Sequence, residues 1–169
     1  MWAGHRSDDL SRYSYFNGSS WSSRKDFDWG SNAGTGITYS NMWYIGNTIY
    51  SYVRSTGTSP NYLYSNDHGR SWNFGGRLTS TPRVGYVAGY YKYWGNNEDR
   101  IDWLGTEAHP RDNNNSLYHG YIRNGRIYNS NGQVIDPDFT DRNANDVTDY
   151  TRVFAAGSSV GGVSLDHAW

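Results

Sequence analysis

The chain has 169 residues, a usual length for one domain, with 16 Tyr, 8 Trp, 20 Gly and only 4 Pro; aromatic residues make up 17% of it and charged residues 18%. A formal net charge of -1 and the lack of a basic run exclude nucleic acid as the main partner, and the absence of cysteine excludes a disulfide framework and thiolate metal sites. No apolar run is long enough to cross a membrane, and a mean hydropathy of -0.87 with so little charge leaves the aromatic residues to build an ordered β protein.

Residues 1–30 read as the end of a four-stranded unit. A strand closes near residue 4, a second covers 10–16, Asn17-Gly18 turns the chain, and Trp21 opens a further strand. The opening Met1-Trp2-Ala3-Gly4-His5-Arg6 is not a signal peptide. Residues 37–79 form a full unit, with a first strand over 37–45 and a hairpin turn at Gly46-Asn47. The second strand, 48–54, puts Ile49, Ser51 and Val53 on one face and Tyr50, Tyr52 and Arg54 on the other. A third strand covers 61–66 and a fourth 71–78.

Residues 83–136 repeat the plan, with strands expected over 83–91, 100–107, 116–123 and 126–129. Asn124-Gly125 is a type I′ turn signal, and Asn131-Gly132 leads on to Gln133-Val134-Ile135. Residues 136–149, rich in Asp and Asn, read as a connection. Residues 150–156 read as the first strand of a further unit covering 150–169. Trp21 and Trp72 stand about one repeat apart, a spacing of roughly 50 residues that suits propeller blades.

The expected fold is therefore all-β: a partial β-propeller of four-stranded antiparallel blades, two of them full and two partial. A propeller closes with about 4–8 blades. The chain thus reads as a fragment of a longer protein, or else as an open arc whose free blade edges invite self-association.

The segment Ser65-Asn66-Asp67-His68-Gly69-Arg70-Ser71-Trp72 has the form Ser-x-Asp-x-Gly-x-Ser-Trp. Asp67 can accept hydrogen bonds from the backbone of the turn that follows, and Gly69 can supply a positive φ. Ser71 can tie the turn to Asp67, and Trp72 can plug it against the sheet. This is the Asp-box, or bacterial neuraminidase repeat, a folding signal between the outer strands of a blade.

The second strands of successive units end in polar residues at one register: Gly4-His5, Val53-Arg54, and Ala108-His109-Pro110-Arg111. His5, Arg54 and His109 or Arg111 are expected at one end of the propeller axis, joined by Tyr39 from an inner strand. The bland alternatives are a packed strand histidine for His5, a pairing of Arg54 with Asp102 or Glu107, and a rigid turn at Pro110. His119 is expected to pack and His68 to face solvent. No cofactor is expected, because no short-spaced ligand pair is present, although His5 and His109 could hold zinc together with a carboxylate. The abundance of Tyr, Trp, Asn and Asp suits a glycan partner, whose rings stack on aromatic faces.

The runs Thr38-Tyr39-Ser40-Asn41, Ile49 to Arg54, Thr106-Glu107-Ala108-His109-Pro110-Arg111 and Asn115 to Tyr121 carry a resemblance, together with the Asp-box, Gly4-His5 and Asp8 to Tyr13. The chain resembles the fourth class of BNR-repeat proteins, which are related to seven-bladed ulvan-type polysaccharide lyases. That resemblance implies β-elimination on a uronate-containing polysaccharide, in a protein that is secreted or periplasmic in its full length. It implies Arg54 as the group that neutralises the carboxylate, Tyr39 as acid and base, and His5 as their partner. His109, Arg111 and Tyr52 become substrate-binding positions. The alternatives are a sialidase-like hydrolase, which would need an arginine cluster and a Tyr–Glu pair, and a non-catalytic carbohydrate-binding propeller piece.

Overall fold

The computed structural model describes residues 2–4, 10–30, 37–55, 59–80, 89–110 and 113–157, with the backbone alone for 2–4 and 59. Among these residues, three antiparallel sheets account for thirteen strands. The first contains β1 (Trp2–Gly4), β2 (Leu10–Tyr13) and β3 (Lys25–Asp28). The second contains β4 (Thr38–Ile45), β5 (Thr48–Ser55), β6 (Ser59–Ser65) and β7 (Asn73–Arg77). The third is built in order from β8 (Tyr91–Gly95), β9 (Arg100–Thr106), β10 (Leu117–Arg123), β11 (Arg126–Asn129) and β12 (Val134–Asp136). A last strand, β13 (Thr151–Phe154), pairs with the first half of β10. The described residues contain no α-helix, and no helix is long and apolar enough to cross a membrane.

The middle sheet is buried on both faces, because each alternating set of side chains in β5 and β6 contains apolar or aromatic residues, Ile49, Val53 and Leu63 on one face and Tyr50, Tyr52 and Tyr62 on the other. Ile49, Val53, Leu63 and Trp72 pack with Tyr13, Phe27 and Trp29 of the first sheet region. Tyr50, Tyr52, Tyr62 and Tyr64 pack with Tyr91, Tyr93, Ile101 and Trp103 of the third. Tyr52 stacks on Tyr93 with ring centres 4.5 Å apart, and Trp103 meets Tyr150 edge-on at 4.7 Å. Each such side chain contributes on the order of 2 kcal/mol through burial, before the entropy of ordering it is subtracted.

The abundance of glycine follows from the same aromatic packing. A Cβ on Gly120 would stand 2.5 Å from Trp103, its cross-strand partner, and one on Gly105 would stand 2.5 Å from Tyr91. The rings lie flat across the strand because nothing projects from these positions.

The turn from Ser65 to Trp72 has the expected chemistry. Asp67 Oδ1 accepts from the backbone N–H groups of Arg70 (3.0 Å) and Ser71 (2.9 Å), and Oδ2 accepts from Ser71 Oγ at 2.6 Å. Ser65 Oγ donates to Asp67 at 2.8 Å and accepts from Gly69 N at 2.8 Å, while Gly69 takes φ 81°. Trp72 is buried edge-on against Tyr13.

Several expectations differ from the structure. Trp21 is not a second Trp72: it is 64% exposed, bridged to Phe16 at the tip of a hairpin, and β3 begins only at Lys25. The strand expected over 83–91 falls mostly on residues 81–88, which lie outside the described part; within it the first strand of the third sheet is β8, Tyr91–Gly95. Residues 136–149 do connect β12 to β13, and they are anchored along the way. Phe139 and Val147 are buried, the Phe139 carbonyl accepts from Tyr62 OH at 3.0 Å, and Ser80 bridges to Asp146. The strand expected to open a further unit hydrogen-bonds to β10 of the third sheet, where β11 leaves the first half of β10 unpaired.

Candidate functional site

The site begins with a bulge in β4. Thr38 pairs with Arg54 and Asn41 with Tyr52, so Tyr39 and Ser40 are displaced from the ladder. Tyr39 adopts φ 59°, a left-handed conformation that costs a non-glycine residue about 1–2 kcal/mol. Asn41 Nδ2 donates to the Tyr39 carbonyl at 3.2 Å, and the Ser40 and Ser51 hydroxyls lie 3.1 Å apart. The Tyr39 ring is thereby turned outward and is 45% exposed.

Arg54 closes β5 beside this bulge. Its Nε donates to Thr38 Oγ1 at 3.0 Å. Its guanidinium carbon lies 4.9 Å from the centre of the Tyr39 ring and 5.0 Å from that of Tyr90. Two aromatic faces therefore hold the cation, each contact worth roughly 0.5–2 kcal/mol. Nη1 is buried and has no hydrogen-bond partner among the described residues. Tyr90 is fixed from the third sheet: its N–H donates to Thr106 Oγ1 at 2.9 Å, and its carbonyl accepts from Thr106 N at 3.0 Å. His109 packs edge-on behind Tyr90, ring centres 4.9 Å apart. The loop that carries it is held by Asn115, whose side chain accepts from Ala108 N at 2.9 Å.

These residues border a cavity of about 290 Å³ between the second and third sheets. Tyr39, Asn41, Arg54, Tyr90, Lys92 and Leu104 are among its lining. The walls are largely apolar or aromatic, and Arg54 and Lys92 bring two cations to them. Water is scarce around the buried part of the guanidinium, so an unpaired donor there favours an anionic acceptor.

The structure places Tyr39 against Arg54, and His109 against Tyr90, which covers the same guanidinium. His109 is buried behind Tyr90 and is not part of the cavity lining. Tyr52, expected to bind substrate, is wholly buried in the stack with Tyr93 and does not reach the cavity. His5 and Arg111 lie outside the described residues. Ser65, Asp67, Gly69, Ser71 and Trp72 sit at the far end of β6 from Pro60, which lines the cavity. Arg54 pairs with neither Asp102, which is bound by Arg100 and His119, nor Glu107, which accepts from Ser116 N. Sequence reasoning missed Tyr90 and Lys92. Tyr90 stands about one repeat beyond Tyr39, roughly 50 residues, and that spacing was the available signal.

A second polar cluster occupies the outer face of the third sheet. Asp102 accepts from Arg100 Nε (2.8 Å) and Nη2 (2.6 Å) and lies 3.0 Å from His119 Nε2. His119 Nδ1 is 2.7 Å from Ser130 Oγ, so the histidine bridges two polar partners and does not simply pack. Burial pushes the Asp102 carboxyl up, but the bonds from Arg100 and His119 outweigh it and hold the group below the usual range. Among the described residues no group of three or more His, Cys, Asp and Glu could hold a metal ion.

No protein-family model matches the chain, and no curated protein sequence matches it. Two solved structures do. One is a polysaccharide lyase of family PL25, an ulvan lyase, bound to -[GlcA(1-4)Rha3S]-, with a TM-score of 0.55 and 14% identity. The other is a structure of the PL25 ulvan lyase with a TM-score of 0.56 and 14% identity. Each match covers 78% of this chain and 35% of that chain, so this chain corresponds to about a third of the length of those proteins. The shared feature is the all-β fold of successive antiparallel sheets.

Proposed function

We propose that the three sheets are blades of a propeller of the ulvan-lyase kind, and that the Arg54 cavity binds a uronate residue of an acidic polysaccharide and promotes its cleavage by β-elimination. The observation that carries this reading is the clamped guanidinium: Nε tied to Thr38, both faces covered by Tyr39 and Tyr90, and Nη1 buried without a partner among the described residues. A uronate carboxylate supplies the missing acceptor. Neutralising that carboxylate acidifies the C5 proton of the sugar. Tyr39, exposed at the cavity, takes the proton as its phenolate. The C5–H electrons form the C4–C5 double bond, the C4–O bond breaks, and the leaving oxygen receives a proton from Tyr39. A secreted or periplasmic location goes with this reading, since such polymers lie outside the cytoplasm.

A sialidase would require several arginines around one carboxylate. Arg54 is the single arginine lining the cavity among the described residues. The deciding experiment incubates the chain with ulvan and other uronate polymers and follows absorbance of the unsaturated product, with Arg54→Ala as control. New absorbance that Arg54→Ala abolishes supports the lyase. Retention of polymer on an affinity gel with no chromophore supports a binding module, and release of free sialic acid from a reporter supports the hydrolase.

A further inference from the structure

We propose that the tip of the β2–β3 hairpin, built on Phe16 and Trp21, is a second glycan-binding site, remote from the Arg54 cavity, which holds another stretch of the same acidic polysaccharide chain. This rests on the reading of the protein as one that acts on such a polymer. Phe16 is 53% exposed and Trp21 64%, whereas Trp29, Trp72 and Trp103 are buried. The two rings face each other across the hairpin, their centres 5.5 Å apart. A neighbouring sheet does not account for them. Tyr13, where β2 ends, already stands level with the end of the second sheet: its hydroxyl donates to the Arg70 carbonyl at 3.2 Å, and its ring meets Trp72. Phe16 lies three residues further along, about 10 Å beyond. The pair therefore projects past the turn that ends the second sheet, and a sheet of the same height would leave it open.

The tip is held in one shape. Asn17 Oδ1 accepts from the N–H groups of Ser19 and Ser20, both at 2.9 Å. Asn17 N–H donates to the Ser20 carbonyl at 3.0 Å, and Ser22 N–H to the Tyr15 carbonyl at 2.8 Å. Rings fixed in this way lose little freedom on binding, and their open faces match the apolar C–H faces of pyranose rings. Single exposed apolar side chains are ordinary on a protein surface, but two large rings side by side on an ordered tip mark a contact site. The apex between them, Asn17-Gly18-Ser19-Ser20, is too polar to enter a lipid layer and offers hydrogen bonds to sugar hydroxyls. Lys25, at the base of the tip with its ammonium 5.3 Å from the Tyr15 ring, brings positive charge for an anionic chain, while Arg24 next to it is paired with Asp26 at 3.1 Å. From the tip to Pro60 at the cavity is most of the length of β6 plus the overhang, roughly 25 Å in all. A long polysaccharide spans that distance and a short oligomer does not.

The test compares wild type, Trp21→Ala and Trp21→Phe by affinity electrophoresis through gels containing ulvan, and by calorimetry with a short uronate oligomer. Exposure of Trp21 leaves the core intact in the variants, and thermal denaturation checks this. Trp21→Ala should lose about tenfold in affinity for the polymer, the size of a good aromatic contact, with Trp21→Phe recovering most of the loss. All three should bind the short oligomer alike, since that ligand reaches the cavity alone. Polymer retention that Trp21→Ala leaves unchanged overturns the tip site, as does an equal loss on the short oligomer, or a loss seen only with anionic phospholipid vesicles in place of polymer. Arg54→Ala keeps the two sites distinguishable. If it abolishes binding of the short oligomer while Trp21 still retains the polymer, both sites stand. If wild type binds no short oligomer yet is retained by the polymer through Trp21, the tip stands and the cavity reading falls.

Discussion

The Arg54 guanidinium carbon lies 4.9 Å from the centre of the Tyr39 ring, and the residue that supplies that ring holds a backbone φ of 59°. Strain and function are thus joined in one residue: the bulge that aims the ring is also what distorts the backbone. Tyr39→Gly removes the distortion and the ring; Tyr39→Ala removes only the ring. Thermal denaturation should find the glycine variant the more stable by about 1 kcal/mol. Both should lose cleavage of uronate polymer. An alanine variant as stable as the glycine variant would mean that the backbone is not strained.

Tyr39→Phe separates holding from proton transfer. The ring remains against Arg54, so polymer affinity should change less than about twofold. Cleavage should fall by about 10²-fold or more, the usual contribution of a positioned acid–base group. A phenylalanine variant with unaltered turnover would remove Tyr39 from the chemistry and leave Tyr90 to be tried.

Arg54→Lys keeps the charge but loses the planar fork, the Nε bond to Thr38 and the fit between two rings. Affinity for a uronate oligomer should drop about tenfold or more. Calorimetry that finds lysine equivalent to arginine would show that charge alone suffices and that the clamp is incidental.

How much of this was legible in the chain depends on how local each signal is. The turns at Gly46-Asn47, Asn124-Gly125 and Ser65 to Trp72 could be placed because their hydrogen bonds close within a few residues. Arg54 and Tyr39 could be matched because Thr38 and Arg54 face each other across one hairpin. Tyr52 was misread for a physical reason: alternation shows which residues share a face, but in a sheet buried on both sides it does not show which of them reaches a cavity. Residues 150–156 were misread because the pairing of β13 depends on where β11 leaves β10, far away in sequence. The anchoring of Phe139 under Tyr62 is equally non-local.

The burial of Tyr52 gives a stability test that bears on its supposed contact with substrate. Its hydroxyl is buried with no partner among the described residues, and burial, with the neighbouring Tyr50, Tyr93 and Tyr62, pushes its ionisation well above the usual tyrosine range. Tyr52→Phe should therefore be neutral or slightly stabilising, because it removes a polar atom that has no bond to lose. Tyr52→Ala should cost about 3–5 kcal/mol through the cavity it leaves under Tyr93. Chemical denaturation of the two variants checks this. A phenylalanine variant destabilised by more than about 1 kcal/mol would reveal a bonded hydroxyl.

Asp67 provides the pH dependence. Burial pushes its carboxyl up, but hydrogen bonds from the Ser71 side chain and backbone, from Ser65 and from Arg70 N–H outweigh this and hold it at about 2. In the unfolded chain an aspartate titrates near about 4. Because the folded value is the lower, the stabilising contribution is fully present above about pH 4 and is lost as pH falls from there towards about 2. Asp67→Asn keeps one acceptor oxygen but has no charge to lose. Its melting temperature should lie below that of wild type near neutral pH, and the gap should shrink as pH is lowered through this window. Melting curves that run parallel at every pH would show that the Ser65–Trp72 turn draws its stability from shape alone and not from the carboxylate charge.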